Sequence, residues 1–163
     1  MRVLGIDPGS LITGFGVVEE EANGLQALAW GALRTSAKQT LPERLKRIYA
    51  GLTESLCAWK PDAVSIEQVF FADNPKTALT LGHARGVALL TVAHADLPLV
   101  EYSALEIKMA VVGYGRAAKS QVQQMVKHLL HLDAIPQPAD AADALAAAIC
   151  HLHTHSFQRR LPR

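Results

Sequence analysis

Apolar residues open the chain in short runs separated by turn formers. Arg2–Ile6, Thr13–Glu19 and Leu25–Leu33 have the length and composition of strands, and Gly9-Ser10 and Ala22-Asn23-Gly24 fall between them as hairpin turns. Three neighbouring strands with such short connections predict an antiparallel meander. From Pro42 to Trp59 the spacing becomes helical: Leu45, Ile48, Tyr49, Leu52 and Leu56 share one side, while Arg44, Lys46, Arg47 and Glu54 lie elsewhere. Lys60-Pro61-Asp62 stops that helix. Ala63–Glu67 is then a short apolar strand which, like the first, closes on a carboxylate.

Asn74-Pro75 opens a further helix to about Ala95, with small residues Gly82, Ala84 and Gly86 suited to close packing. Leu99–Tyr102 is strand-like, a helical patch begins at Ser103 or Ala104, and Gly113-Tyr114-Gly115 is a loop. Ser120–Leu132 returns to helix, and Pro136 and Pro138 precede an alanine-rich helix from about Asp140 to His153. A run of strands followed by alternating helix and strand predicts an α/β protein: a mixed sheet with helices on its faces. Sites in such sheets gather at strand ends.

At 163 residues, half of them hydrophobic and 19% charged, the chain is read as one globular domain with an ordinary core. The two cysteines, Cys57 and Cys150, sit in apolar helix-like stretches and make no framework, which favours a reducing cytoplasm. No apolar run approaches the ~18 residues of a membrane span. The net charge of +1 hides an asymmetry. Asp7 and Glu19–Glu21 face only Arg2 near the start. Lys76, Arg85, Lys108, Arg116, Lys119 and Lys127 outnumber Asp96, Glu101 and Glu106 between residues 74 and 131, a surplus that can meet phosphate but equally suits a solvated surface.

Among the acids, Asp7 before Pro-Gly could merely start a turn. Glu67 at the end of Val64-Ser65-Ile66 is odder, since glutamate is depleted in strands and costly to bury unpaired. Asp140 and Asp143 in PADAADALAAA are three apart and share a helix face otherwise made of Ala and Leu. A capping role explains one of them and leaves the other unexplained. Such acids converging without matching cations would repel one another, and an all-oxygen donor set suits a hard divalent ion, Mg²⁺ or Mn²⁺. Two ions about 4 Å apart sharing a central carboxylate form the arrangement for in-line displacement at phosphorus. Asp7, taken as lying on the central strand of the meander, is the natural bridging ligand.

The motifs GIDPGS at 5–10, IEQVFF at 66–71, LGHARG at 81–86, VVGYGRAAKSQV at 111–122 and DAADALA at 140–146 together resemble the RuvC family of Holliday-junction resolvases over essentially the whole length. The resemblance implies a ribonuclease-H-like fold, a mixed five-stranded sheet of antiparallel meander plus parallel strands, over residues 1–155. Residues 156–163 are expected to be a disordered basic tail in reach of DNA. It implies a homodimer that resolves four-way DNA junctions in recombination and repair, nicking two strands of like polarity to leave 5′-phosphate and 3′-hydroxyl ends. It places the metal ligands on Asp7, Glu67, Asp140 and Asp143, with two Mg²⁺ per active site and Mn²⁺ able to substitute. RuvA and RuvB, a branch-migration motor, are the implied partners.

By the same resemblance Lys108 and Lys119 match basic residues needed for activity, neutralising phosphate close to the metals. Lys119, after a Gly-rich loop and before a helix, is the stronger, and Arg116 in that loop is a candidate backbone contact. Phe70, with Phe71 beside it, matches an exposed aromatic able to stack on an unpaired junction base. Lys76 and Arg85 complete the expected DNA contacts. His151, His153 and His155 alternate along a helix, which scatters them around its axis and argues against a zinc site. An actin-like ATPase, suggested by GIDPGS, would need a second phosphate loop and a second lobe. A junction-binding protein that does not cut, or a structural dimer, would leave the acids unexplained.

Overall fold

The computed structural model describes residues 1–68 and 74–160. The chain lays down β1 (Arg2–Asp7), β2 (Ile12–Glu21) and β3 (Gly24–Arg34), then α1 (Leu41–Trp59), β4 (Ala63–Glu67), α2 (Pro75–His94) and β5 (Leu99–Tyr102). It ends in α3 (Ala104–Val112), α4 (Lys119–Leu129) and α5 (Ala139–Arg160). The strands form one sheet in the order β3-β2-β1-β4-β5. The first three strands pair antiparallel as a meander, while β4 joins the free edge of β1 in parallel and β5 joins β4 in parallel. The central position expected for Asp7 therefore needs restating: β2 is the middle of the meander, and β1 becomes the middle of the sheet only because β4 adds beside it.

Strand parity then decides which side chains meet. Leu4 and Ile6 of β1, Val17 of β2, and Val64 and Ile66 of β4 are fully buried against α1 and α2, with Ile48, Leu52, Ala84, Ala88 and Val92. Val3 and Val18 point the other way, into a core built with α3, α4 and α5 from Ile107, Val111, Val126, Leu145, Ile149 and Leu152. With a period of two, Asp7 shares a face with Val3, and Glu67 lies opposite in parity to Val64 and Ile66. Both terminal carboxylates thus emerge on the side covered by α5.

That helix sits unusually close to the sheet. Gly5 is paired with Gly16 and Asp7 with Gly14 across the β1–β2 ladder. An added Cβ at Gly5 would collide with the Ala144 carbonyl, one at Gly14 with the Asp140 carbonyl, and one at Gly16 with the Leu145 side chain. Opposite them the helix presents Ala141, Ala142, Ala144, Ala146, Ala147 and Ala148, all essentially buried. Small residues on both partners bring the backbones together, so the first turn of α5 hangs over the end of β1.

Local chemistry sets the helix ends. Asn74 Oδ1 accepts the Thr77 amide at the start of α2 (2.9 Å). Ser103 and Glu106 close a reciprocal capping box on α3, the Glu106 carboxylate accepting from the Ser103 amide at 2.7 Å. α4 stops at Leu129, before His131 turns left-handed at φ 52°, rather than running to Leu132. α5 continues to Arg160, into the segment read from sequence as a disordered tail, and Ser156 Oγ donates to Glu20 Oε1 (2.6 Å) to tie it to β2. Within α2, Ala84 packs as expected, but Gly82 and Gly86 face open space.

Because α5 cannot clear a methyl group at Gly5, Gly5→Ala should lower stability by about 1–3 kcal/mol or more. Urea denaturation reads this directly, and an unchanged midpoint would mean that the helix can shift without loss.

Candidate active site

Asp7 ends β1, Glu67 ends the adjacent parallel β4, and Asp140 and Asp143 stand one turn apart at the start of α5. Asp7 and Glu67 are perturbed by their surroundings. Burial, followed by the charges of Asp143, Glu67 and Asp140, pushes the Asp7 carboxyl up to about 7, against a smaller opposing pull from Lys119. Burial and then Asp143 also raise Glu67, with Lys119 and Lys108 acting the other way. A carboxylate held at such a value is a group whose charge lacks compensation.

Two lysines supply the local positive charge. Lys119 is the first residue of α4, where the helix dipole disfavours a cation. Its Nζ nevertheless lies 2.5 Å from Asp143 Oδ2, in a pair with the lysine 62% and the aspartate 19% exposed. Burial would lower this ammonium, but the hydrogen bond and charge of Asp143, with Asp7 and Asp140, hold it above the usual lysine range. Lys108, half-buried on α3, lines the same cleft of about 250 Å³ with Glu67, Ile107, Lys119, Val122 and Asp143.

The donor set is all oxygen and suits a hard divalent cation. As placed, no three His, Cys, Asp or Glu side chains among the described residues are gathered tightly enough to hold a metal ion. Asp143 is turned onto Lys119, whose ammonium relieves part of the repulsion. The residue types fit the ion, and the crowding that raises Asp7 is what bound divalent charge would relieve.

The other expected contacts divide. Lys76, in the first turn of α2, lines a separate open depression with Ser10, Arg44 and Asp140. Arg116 is exposed in the loop before α4. Arg85 is bound to Glu101 of β5 (Nη2–Oε2 2.5 Å) and is not among the residues lining the acid cleft. Phe70 and Phe71 lie outside the described residues. His151 and His153 make internal bonds, to the Tyr102 hydroxyl and the Ala110 carbonyl, each 2.9 Å. His151 and His155, four apart, stack with centroids 6.2 Å apart, so the three histidines are not evenly scattered. Burial pushes the Cys150 thiol up to about 12, which removes it as a nucleophile. Sequence reasoning passed over Arg44, whose Nη1 reaches Ser10 Oγ at 3.5 Å from 34 positions away. Its only signal was a basic residue on the polar side of an amphipathic helix.

The family model described as Crossover junction endodeoxyribonuclease RuvC matches residues 3–151. The chain belongs to the RuvC family. The crossover junction endodeoxyribonuclease RuvC of Alkaliphilus metalliredigens is 51% identical over 158 residues, covering 97% of this chain and 96% of that one. The Thermus thermophilus RuvC structure superposes with a TM-score of 0.90 at 35% identity, covering 97% of each chain. The same protein in complex with a Holliday junction substrate gives 0.88 at 34% identity, covering 96% of each. The ribonuclease-H-like mixed sheet inferred from the motifs is the architecture found.

The raised Asp7 carboxyl has a consequence for the metal-free protein. Its folded-state value near 7 lies above the ordinary 3.8, so ionisation opposes folding above about pH 4, and the penalty is complete only above pH 7. Asp7→Asn in chelator should therefore raise Tm by at least ~3 °C at pH 8, the gain shrinking towards zero near pH 4. Thermal melts across that range check it, and equal melting of the two proteins at pH 8 would contradict the crowding.

Proposed function

We propose that this chain resolves four-way DNA junctions by hydrolysing one phosphodiester in each of two strands of like polarity. The observation that carries the reading is the convergence of four carboxylates from β1, β4 and α5 on one face of the sheet, beside Lys108 and Lys119, in a RuvC-family chain. Asp7, Glu67, Asp140 and Asp143 would hold two Mg²⁺, for which Mn²⁺ could substitute. When bound, the ions supply an activated water and neutralise the leaving oxygen.

The protein's own groups do the positioning. β1 and β4, paired in parallel, deliver Asp7 and Glu67 from the middle of a rigid sheet, while α5 brings the two aspartates over them. The Lys119 ammonium, paired with Asp143 in the cleft, would balance charge growing on the non-bridging oxygens of the scissile phosphate. Lys108, lining the same cleft, would do the same. Water oxygen bonds to phosphorus, the P–O3′ bond breaks, and the 3′ oxygen takes up a proton, leaving 5′-phosphate and 3′-hydroxyl ends.

Two cuts need two sites. The exposed stripe of α2 formed by Leu79, Gly82, Gly86 and Leu90 supports a homodimer, since its glycines meet nothing among the described residues and its leucines are 67% and 51% exposed. A two-fold dimer presents equivalent centres to equivalent strands. RuvA and RuvB are the partners this reading assigns, with Phe70 or Phe71 stacking on an unpaired base at the crossover. Among the described residues no helix is long and apolar enough to cross a membrane, and we place the protein in the cytoplasm with its DNA.

Incubation with a mobile four-way junction and a matching linear duplex, in Mg²⁺, Mn²⁺ or chelator, tests the reading. Paired ligatable nicks should appear on the junction alone and vanish with chelator or Asp7→Asn. Lys119→Gln should slow cutting by about 10²-fold with little change in binding. Tight junction binding without cutting under either metal would retire the catalytic assignment.

A further inference from the structure

Asp140 and Asp143 are one turn apart, yet they wall two different depressions. Asp143 faces the cleft with Glu67 and the two lysines, whereas Asp140 borders an open hollow of about 590 Å³ between the β1–β2 turn and the N-terminal part of α2. The hollow is lined by Gly9, Ser10, Arg44, Lys76, Thr77 and Asp140, among others. Among the described lining residues the two cations, Arg44 and Lys76, come from different helices, and the acid, Asp140, belongs to the carboxylate cluster.

Arg44 is the residue that the rest of the fold does not explain. It projects from α1 to the turn that follows Asp7, and no carboxylate among the described residues lies within ion-pair distance of it. Its Nη1 makes one long contact, 3.5 Å, to Ser10 Oγ, and its Nε is buried without an acceptor among the described residues. A buried guanidinium nitrogen left unsatisfied is costly unless some ligand completes it. Ser10 accepts from Arg44, which leaves its own hydroxyl proton free to donate. The Thr77 amide is already taken by Asn74 and the Thr80 hydroxyl by the Lys76 carbonyl, while the side chains of Ser10, Arg44, Lys76 and Thr77 can donate into the hollow. An arginine fork beside hydroxyls and a lysine is chemistry for a phosphodiester. The β1–β2 turn is compact here: a Cβ on Gly9 would strike the Ile12 carbonyl, so the turn holds Ser10 in place opposite Arg44.

We propose that this hollow is a second phosphate subsite, in which Arg44 with Ser10 and Lys76 grips a DNA backbone phosphate adjacent to the scissile one. The inference rests on the nuclease reading above and deepens it. The cut strand is held on both sides of Asp140: the reacting phosphate goes to the acid cleft and a flanking phosphate to Arg44. The flanking grip fixes the strand's register over the carboxylates.

The test uses full-length protein and junctions in which each phosphate flanking one cleavage site is replaced, one at a time, by a neutral methylphosphonate. In the unsubstituted protein one flanking position should slow cutting by about tenfold or more. Arg44→Gln should be about tenfold slower on the unmodified junction and lose sensitivity to that position while keeping its sensitivity elsewhere. Arg44→Lys, which keeps the charge, should recover part of the rate and part of the sensitivity, and carries the same comparison should the glutamine variant unfold. The slope of log binding constant against log salt, measured in chelator, should fall by about one counterion in Arg44→Gln. An Arg44→Gln protein that cuts as fast as the parent overturns the subsite and leaves the nuclease reading intact. So does one that is slow yet as sensitive to every methylphosphonate as the parent. A parent protein that cuts no junction at all removes both.

Discussion

Everything at the carboxylate cluster depends on how near α5 comes to the sheet. Backbone of α5 lies directly over Gly5 and Gly14, and the Leu145 side chain fills the space over Gly16, with alanines along the rest of that helix face. This is dispersion packing at short range, with each contact small and the sum large. It also acts as a ruler. The Asp140 carbonyl lies over Gly14, the cross-strand partner of Asp7, so the helix that supplies two acids is registered against the strand that supplies a third.

Against that packing stands electrostatic repulsion. Burial and the charges of Asp143, Glu67 and Asp140 raise the proton affinity of Asp7, burial and Asp143 raise that of Glu67, and Asp143 is itself paired with Lys119. The rigid sheet prevents the acids from simply moving apart. Stability surrendered at such a place is held by the two cores on either face, where Leu4, Ile6, Ile66, Leu145 and Ile149 are fully enclosed. The same crowding makes the cleft receptive to divalent charge.

How much of this could be read in advance varied with the distance over which each feature acts. Asp7 and Glu67 were legible because each closes a short apolar strand, and Asp140 and Asp143 because three residues is a helical spacing. The strand limits at Ala63–Glu67 and Leu99–Tyr102 agree with the pattern for the same local reason. The position of β1 was harder, since the meander alone puts it at an edge and only the non-local pairing with β4 makes it central. The end of α5 escaped because residues 151–156 mix His, Thr and Ser, and their anchor, Glu20, is 136 positions from Ser156. Arg44 and Arg85 show opposite sides of one limit. A basic residue is visible in sequence, but whether it meets an acid, as Arg85 meets Glu101, or the serine of a turn, as Arg44 meets Ser10, is a tertiary fact.

The order in which the acids occur along the chain has a consequence for biosynthesis. Asp7 and Glu67 leave the ribosome early, as the ends of two strands, but Asp140 and Asp143 ride on the last helix. Until that helix is made and settles onto the glycines, the sheet carries half of the acid cluster and an open apolar face. Completing the cluster and closing that core are therefore one event, and a chain lacking α5 would have neither.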